Sequence, residues 1–151
     1  MTTPILIATD GSSSARAAVD FGLRLAREQN APVVFAHVAP GYEVLPSHAF
    51  GMGSTKPRDP SAADREPLEQ AARLAEAEGV RSTGELLLGD PVDEIVAYAD
   101  SIDAPMIVIG SRGHGTVAGA LLGSVSQGVL REARRPVLVV RRPAAPAALA
   151  S

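Results

Sequence analysis

The chain has 151 residues, of which 46% are apolar, 21% charged and only 3% aromatic, a length and composition that suit one domain with a core of Val, Ile, Leu and Ala. A formal net charge of -3 leaves no excess of cations to displace counterions from a polyphosphate backbone, so nucleic acid is not an expected partner. The absence of cysteine excludes disulfides, thiolate metal sites and cysteine nucleophiles.

Pro4 to Thr9 is a continuous apolar run ending at Asp10-Gly11, as expected of a strand buried on both faces. No basic signal region precedes it and no run of about 18 apolar residues follows, which predicts a cytosolic protein with no membrane partner. Ser12, Ser13 or Ser14 can cap a helix in which Ala17, Ala18, Phe21 and Leu25 recur at helical spacing until Asn30. A second buried strand runs from Pro32 to Val38. Ala39 to Pro60 is rich in Gly and Pro and lacks periodicity, so it reads as a long loop, either a lid or mobile.

Ser61 with Asp64 three residues on opens a helix carrying Leu68, Ala71, Ala72 and Ala75 inward, and Gly79 stops it. A strand follows from Arg81 to Leu88, then Asp90-Pro91 starts a helix whose buried face is Val92, Ile95, Val96 and Ala99. Pro105 to Ile109 and Pro136 to Val140 are further apolar strands, separated by a glycine-rich segment and a helix from about Val125 to Arg134. Five strands alternating with four helices imply an α/β fold: a doubly wound, five-stranded, mainly parallel sheet with helices on both faces, a Rossmann-like three-layer sandwich. The domain is expected to span residues 1–142, and the Pro- and Ala-rich segment 143–151 to be a flexible tail.

Such sheets bind ligands at the carboxyl ends of their strands, which directs attention to Asp10-Gly11-Ser12 and to Gly110-Ser111-Arg112-Gly113 with its continuation to Gly123-Ser124. Gly110 and Gly113 can take positive φ and let backbone amides form a nest around an anion. Gly123-Ser124 opens a helix whose N-terminal amides and dipole favour phosphate. A plainer assignment makes Ser124 an N-cap completed by Gln127 as a capping box, and the two are compatible. Asp10 can equally cap the first helix, and Arg112 can equally be a solvated cation. His37, within a strand, reads as structural, and His114 as an ordinary loop residue.

The spacing Gly110-x2-Gly113-x9-Gly123-Ser124, followed by Ser126, resembles the ATP-binding signature of the universal stress protein family. The segments ILIATDGSSSARAAV and RRPVLVVR are similar to that family's two ends. The resemblance extends from Pro4 to Arg141 apart from the irregular loop, and it implies an adenine nucleotide alpha hydrolase-like fold. It further implies adenine and ribose near Ala8, Thr9, Asp10 and Val38, with Asp10 accepting a ribose or base hydrogen bond and Ile109 and Gly110 flanking the nucleoside. Phosphates would lie against Arg112, Gly113, Gly123, Ser124, Val125 and Ser126, with Mg2+ carried mainly by the phosphates of ATP. Family members commonly pair through the last strand, so a homodimer through Pro136 to Val140 is implied, in agreement with the apolar edge that this strand would present.

The only lysine, Lys56, lies in the long loop, which excludes a P-loop, and no Gly-x-Ser-x-Gly elbow is present. The resemblance thus implies a nucleotide-dependent regulatory module of the stress response. A nucleotide-independent scaffold of the same fold stands against it, as does a slow ATPase or autophosphorylating protein using Ser124 or Ser126, for which no general base is placed.

Overall fold

The computed structural model describes residues 2–46, 51, 53–113 and 122–142. The expected tail lies outside these residues, as does His114.

The elements along the chain are β1 (Ile5–Ala8), α1 (Ser13–Gln29), β2 (Val33–Ala39), β3 (Tyr42–Leu45), β4 (Ser54–Pro57), α2 (Ala62–Ala77), β5 (Ser82–Leu88), α3 (Pro91–Ser101), β6 (Ile107–Gly110), α4 (Ser124–Glu132) and β7 (Val137–Val140). Five strands form one sheet in the order β5-β2-β1-β6-β7, and every pairing within it is parallel. Because successive side chains of a strand point to opposite faces, Ile5, Ile7, Val33 and Phe35 pack with Ala18, Leu23, Leu68 and Ala71 on the side of α1 and α2. Leu6, Ala8, Val34, Ala36, Ile107 and Ile109 pack with Ile95, Ala99 and Val129 on the side of α3 and α4. Burial on both faces is why these strands read as unbroken apolar runs.

The helix boundaries follow the capping chemistry. Ser12 caps α1 by accepting from the Ala15 amide, and Asn30 closes the helix in the left-handed conformation at φ 51°. Asp90 caps α3 by accepting from the Asp93 amide, with Pro91 in the first turn.

Four sequence expectations need correction. In α1 the buried stripe is Ala15, Ala18, Val19, Gly22, Leu23 and Ala26; Phe21 is exposed and carries the Arg24 guanidinium 5.3 Å from its ring centre. Gly22 displaces the stripe, because its missing side chain lets α1 lie directly on Ile7 and Val108 of the sheet. In α2, Ala72 faces solvent. The segment from Ala39 to Pro60 is not irregular throughout: β3 and β4 form an antiparallel hairpin, with Glu43 opposite Lys56 in a 2.6 Å ion pair. Its strands span four residues each and β4 (STKP) has no aliphatic side chain, so no alternation announced them. Finally, α4 begins at Ser124 with Gly123 as its N-cap, so Ser124 is not the cap, and Gln127 reaches back through Nε2 to the Leu122 carbonyl at 3.0 Å.

Candidate functional site

In chain order the sheet grows from β1 to β2 and then to β5, after which the chain returns to the other side of β1 for β6 and β7. The strand order therefore reverses between β1 and β6, and the loops leaving their carboxyl ends part to open a cleft. That cleft has a volume of about 630 Å³, within the range of small-molecule sites.

The β1–α1 turn forms one wall. His37 approaches the Thr9 carbonyl oxygen through Nδ1 at 2.9 Å; because a carbonyl only accepts, Nδ1 carries the proton there. The Asp10 carboxylate accepts from the Ser12 amide through Oδ1 at 2.9 Å, and Gly11 takes φ 80° to carry the chain over this turn.

The second wall is the glycine segment, clasped at its base by a single atom. The Ser111 carbonyl accepts from the Gly123 amide at 2.7 Å and from the Ser126 hydroxyl at 2.9 Å, so the end of β6 and the start of α4 are joined at one atom. The Arg112 amide donates to the Ser14 hydroxyl at 3.0 Å, which ties the segment to α1. Beyond the clasp, the first-turn amides of α4 at Ser124, Val125 and Ser126 have no intrahelical acceptor, and Ser124, Val125 and Ser126 line the cleft. They supply an N-terminal dipole suited to an anion.

The glycines act by size rather than by conformation. Neither Gly110 nor Gly113 has φ in the left-handed region, contrary to the sequence expectation. A Cβ on Gly110 would fall 2.6 Å from the Ser14 carbonyl oxygen, one on Gly113 2.6 Å from Asp10 Oδ2, and one on Gly123 3.3 Å from Arg112 Cα. Close approach of backbone excludes a side chain at Gly110 and crowds one at Gly123, whereas at Gly113 the nearest atom belongs to the Asp10 side chain, which can swing aside.

Every residue singled out from the sequence, Ala8, Thr9, Asp10, Val38, Ile109, Gly110, Arg112, Gly113, Gly123, Ser124, Val125 and Ser126, lines this one cleft. The Ser126 hydroxyl is turned away from it, however, buried against the Ser111 and Gly123 carbonyls, so only its amide remains for an anion.

Sequence reasoning missed the third wall. Ala63, Glu66, Pro67 and Gln70 of α2 line the cleft, as do Pro91 and Ile95 of α3. The i, i+3, i+4, i+7 spacing of the α2 residues is a legible signal, but it lies beside the more apolar stripe of Leu68, Ala71 and Ala75, which enters the core. Pro67 lies inside α2, where a proline removes the hydrogen bond to the carbonyl four residues back, here Ala63, at a general cost of about 3 kcal/mol. Its ring closes the cleft against Gly11, with Cγ 3.5 Å from the point a Cβ there would occupy.

The start of α2 is pinned by a charged knot. Arg58, which follows β4, donates to Asp64 at 2.9 Å and to the Pro40 carbonyl at 3.3 Å. Asp64 also accepts from the Ser61 amide at 2.7 Å. These donors, the Arg58 guanidinium first and the Ser61 amide next, hold the Asp64 carboxyl down at about 2.

A sequence profile of the universal stress protein family matches residues 1–141. The chain belongs to the universal stress protein family. A universal stress protein of Methanocaldococcus jannaschii is 33% identical over 139 residues, covering 92% of this chain and 82% of that protein. Among solved structures, a universal stress protein from Archaeoglobus fulgidus superposes with a TM-score of 0.72 at 28% identity, covering 93% of this chain and 99% of that one. A universal stress protein in complex with cAMP superposes with a TM-score of 0.69 at 30% identity, covering 91% and 95%. Among the described residues no helix is long and apolar enough to cross a membrane.

Proposed function

We infer that this universal stress protein binds ATP, escorted by Mg2+, in the cleft between β1 and β6, and acts as a cytoplasmic, homodimeric regulatory module whose surface depends on nucleotide occupancy. The observation that carries the reading is the pairing of opposite chemistries across one cleft. The first-turn amides of Ser124, Val125 and Ser126 and the Arg112 side chain share one cleft with the apolar residues Ala8, Ala36, Val38 and Ile109. An anion fits the first and a flat heteroaromatic ring the second. The relative solved with cAMP supports a nucleotide as the class of ligand.

Arg112 is the single cationic side chain among the described lining residues, against the carboxylates of Asp10 and Glu66. A triphosphate therefore needs its own counter-ion, and Mg2+ would reside on the phosphate oxygens. Among the described residues no cluster of His, Asp and Glu is arranged to hold a metal.

Calorimetric titration of Mg-ATP tests the reading. Wild type binds; a variant with Gly113→Val and Gly123→Val, whose side chains fill the space between Asp10 and Arg112, does not. The variant Arg112→Ala, at an exposed position, is weakened by roughly tenfold, as for loss of one charge-assisted hydrogen bond. No binding by wild type would overturn the reading in favour of a nucleotide-independent scaffold.

A further inference from the structure

We propose that His37 is a positioning residue of this cleft: by donating from Nδ1 to the Thr9 carbonyl it occupies the acceptor that the next rung of the β1–β2 ladder would use, and so holds the two strands apart where the cleft begins. The effect on binding rests on the nucleotide reading above; the effect on the strands does not.

The β1–β2 ladder stops while β2 still runs on. The two strands pair from Ile5 with Val33 to Ala8 with Ala36, whereas β2 continues beside β5 to Ala39. The Ile5 and Thr9 amides donate to the Pro32 and Ala36 carbonyls, each at 2.9 Å, so odd residues of β1 bond to even residues of β2. On its other edge β2 uses odd residues, the Ala39 carbonyl accepting from the Gly89 amide. By this alternation the Val38 amide is directed toward β1, and the next rung would place it on the Thr9 carbonyl. Among the described residues that bond is not made; the Thr9 carbonyl is met by His37 Nδ1 at 2.9 Å instead. Past this point the chain satisfies itself within its own turn, the Gly11 amide on Thr9 Oγ1 at 3.3 Å and the Ser12 amide on Asp10 Oδ1 at 2.9 Å, and makes no further rung with β2.

A side chain is what allows the ladder to end here. Thr9 is buried, and a buried carbonyl without a donor is costly. Without the imidazole the nearest relief is the Val38 amide, and that bond would close the gap between Thr9 and Val38, both of which line the cleft. His37 is placed to prevent it because it stands opposite Thr9 in the continuing register and brings a donor on a short, rigid ring. It thus satisfies Thr9 while leaving the Val38 amide turned to the cleft.

The test combines amide hydrogen exchange without ligand and calorimetric titration of Mg-ATP, for wild type, His37→Phe, His37→Ala and His37→Asn. The first two variants remove the donor, with and without a ring; Asn keeps an amide donor near the place of Nδ1. In wild type the Val38 amide is expected to exchange faster than that of Ala36, which lies within the ladder. In the Phe and Ala variants Val38 pairs with Thr9, and its exchange slows by roughly tenfold or more. Their affinity for Mg-ATP falls by roughly tenfold, and His37→Asn behaves as wild type in both measurements. Unchanged Val38 exchange, or unchanged affinity, in the variants without a donor would overturn the inference. So would a His37→Asn that binds as weakly as they do while its Val38 exchanges as in wild type, since contact of Nε2 with the ligand would then account for the loss. Failure of wild type to bind Mg-ATP would overturn the nucleotide reading, and the exchange measurement, which needs no ligand, would still decide whether His37 holds the strands apart.

Discussion

Gly110 ends β6 directly under the first turn of α1, where a Cβ would fall 2.6 Å from the Ser14 carbonyl oxygen and 2.8 Å from its hydroxyl. The obstruction is backbone, which cannot swing aside, so Gly110→Ala is expected to lower unfolding stability by about 1–3 kcal/mol, read as a shifted midpoint in urea. Ser126 presents the opposite case. Its hydroxyl is buried, but the Ser111 and Gly123 carbonyls keep other donors, the amides of Gly123 and Gln127. Ser126→Ala therefore costs only about 1 kcal/mol in the same measurement. Asp10, Arg112 and the glycines were legible because polar and small residues follow apolar strands there. The clasp at Ser111 and the tie from Ser14 were not, because they depend on which backbone atoms the fold brings together. Glycine at position 110 was legible too, and of the two reasons the sequence offers, positive φ and freedom from Cβ obstruction, the structure bears out the second.

At the scale of elements, the knot of Arg58, Ser61 and Asp64 joins the β3–β4 hairpin to the helix that walls the cleft. The folded pKa of Asp64, about 2, lies below the roughly 3.9 of an unfolded aspartate. A depressed carboxyl pKa stabilises the fold above the unfolded value, and that stability is lost as pH falls from about 4 toward 2. Melting temperature is expected to drop through this window in wild type, whereas Asp64→Asn starts lower at pH 7 and loses less on acidification. An identical acid limb in both proteins would contradict the role given to Asp64. The strands and helices of the main sheet were legible from unbroken apolar runs and caps such as Ser12, Asn30 and Asp90-Pro91. The hairpin was not, because its strands are four residues long and held by chain connectivity, the Glu43–Lys56 pair and the Arg58 amide on the Gly41 carbonyl rather than by an apolar face.

At the scale of the molecule, β7 lies at the edge of the sheet with half-buried side chains. The Pro136 and Val140 carbonyls face β6, accepting from the Ile107 and Ser111 amides, so by alternation the amides of Val137 and Val139 point away from the sheet. Among the described residues no strand pairs with this edge; an edge of this kind invites a second strand, and pairing with a two-fold copy would satisfy it. Val139→Pro, which deletes one outward donor while sparing the β6 ladder, is expected to turn a dimer into a monomer in sedimentation experiments; a wild type that sediments as a monomer would contradict pairing through β7. The same sheet fixes the cleft, since only the reversal between β1 and β6 brings the Asp10 turn, the Arg112 segment and the first turn of α4 together. The most direct test of the account follows the backbone amide resonances of the labelled protein as Mg-ATP is added. The largest shifts are expected at Arg112, Gly113, Gly123, Ser124 and Val125, with smaller ones at Asp10. No shifts, or shifts confined to surfaces away from the ends of β1 and β6, would contradict it.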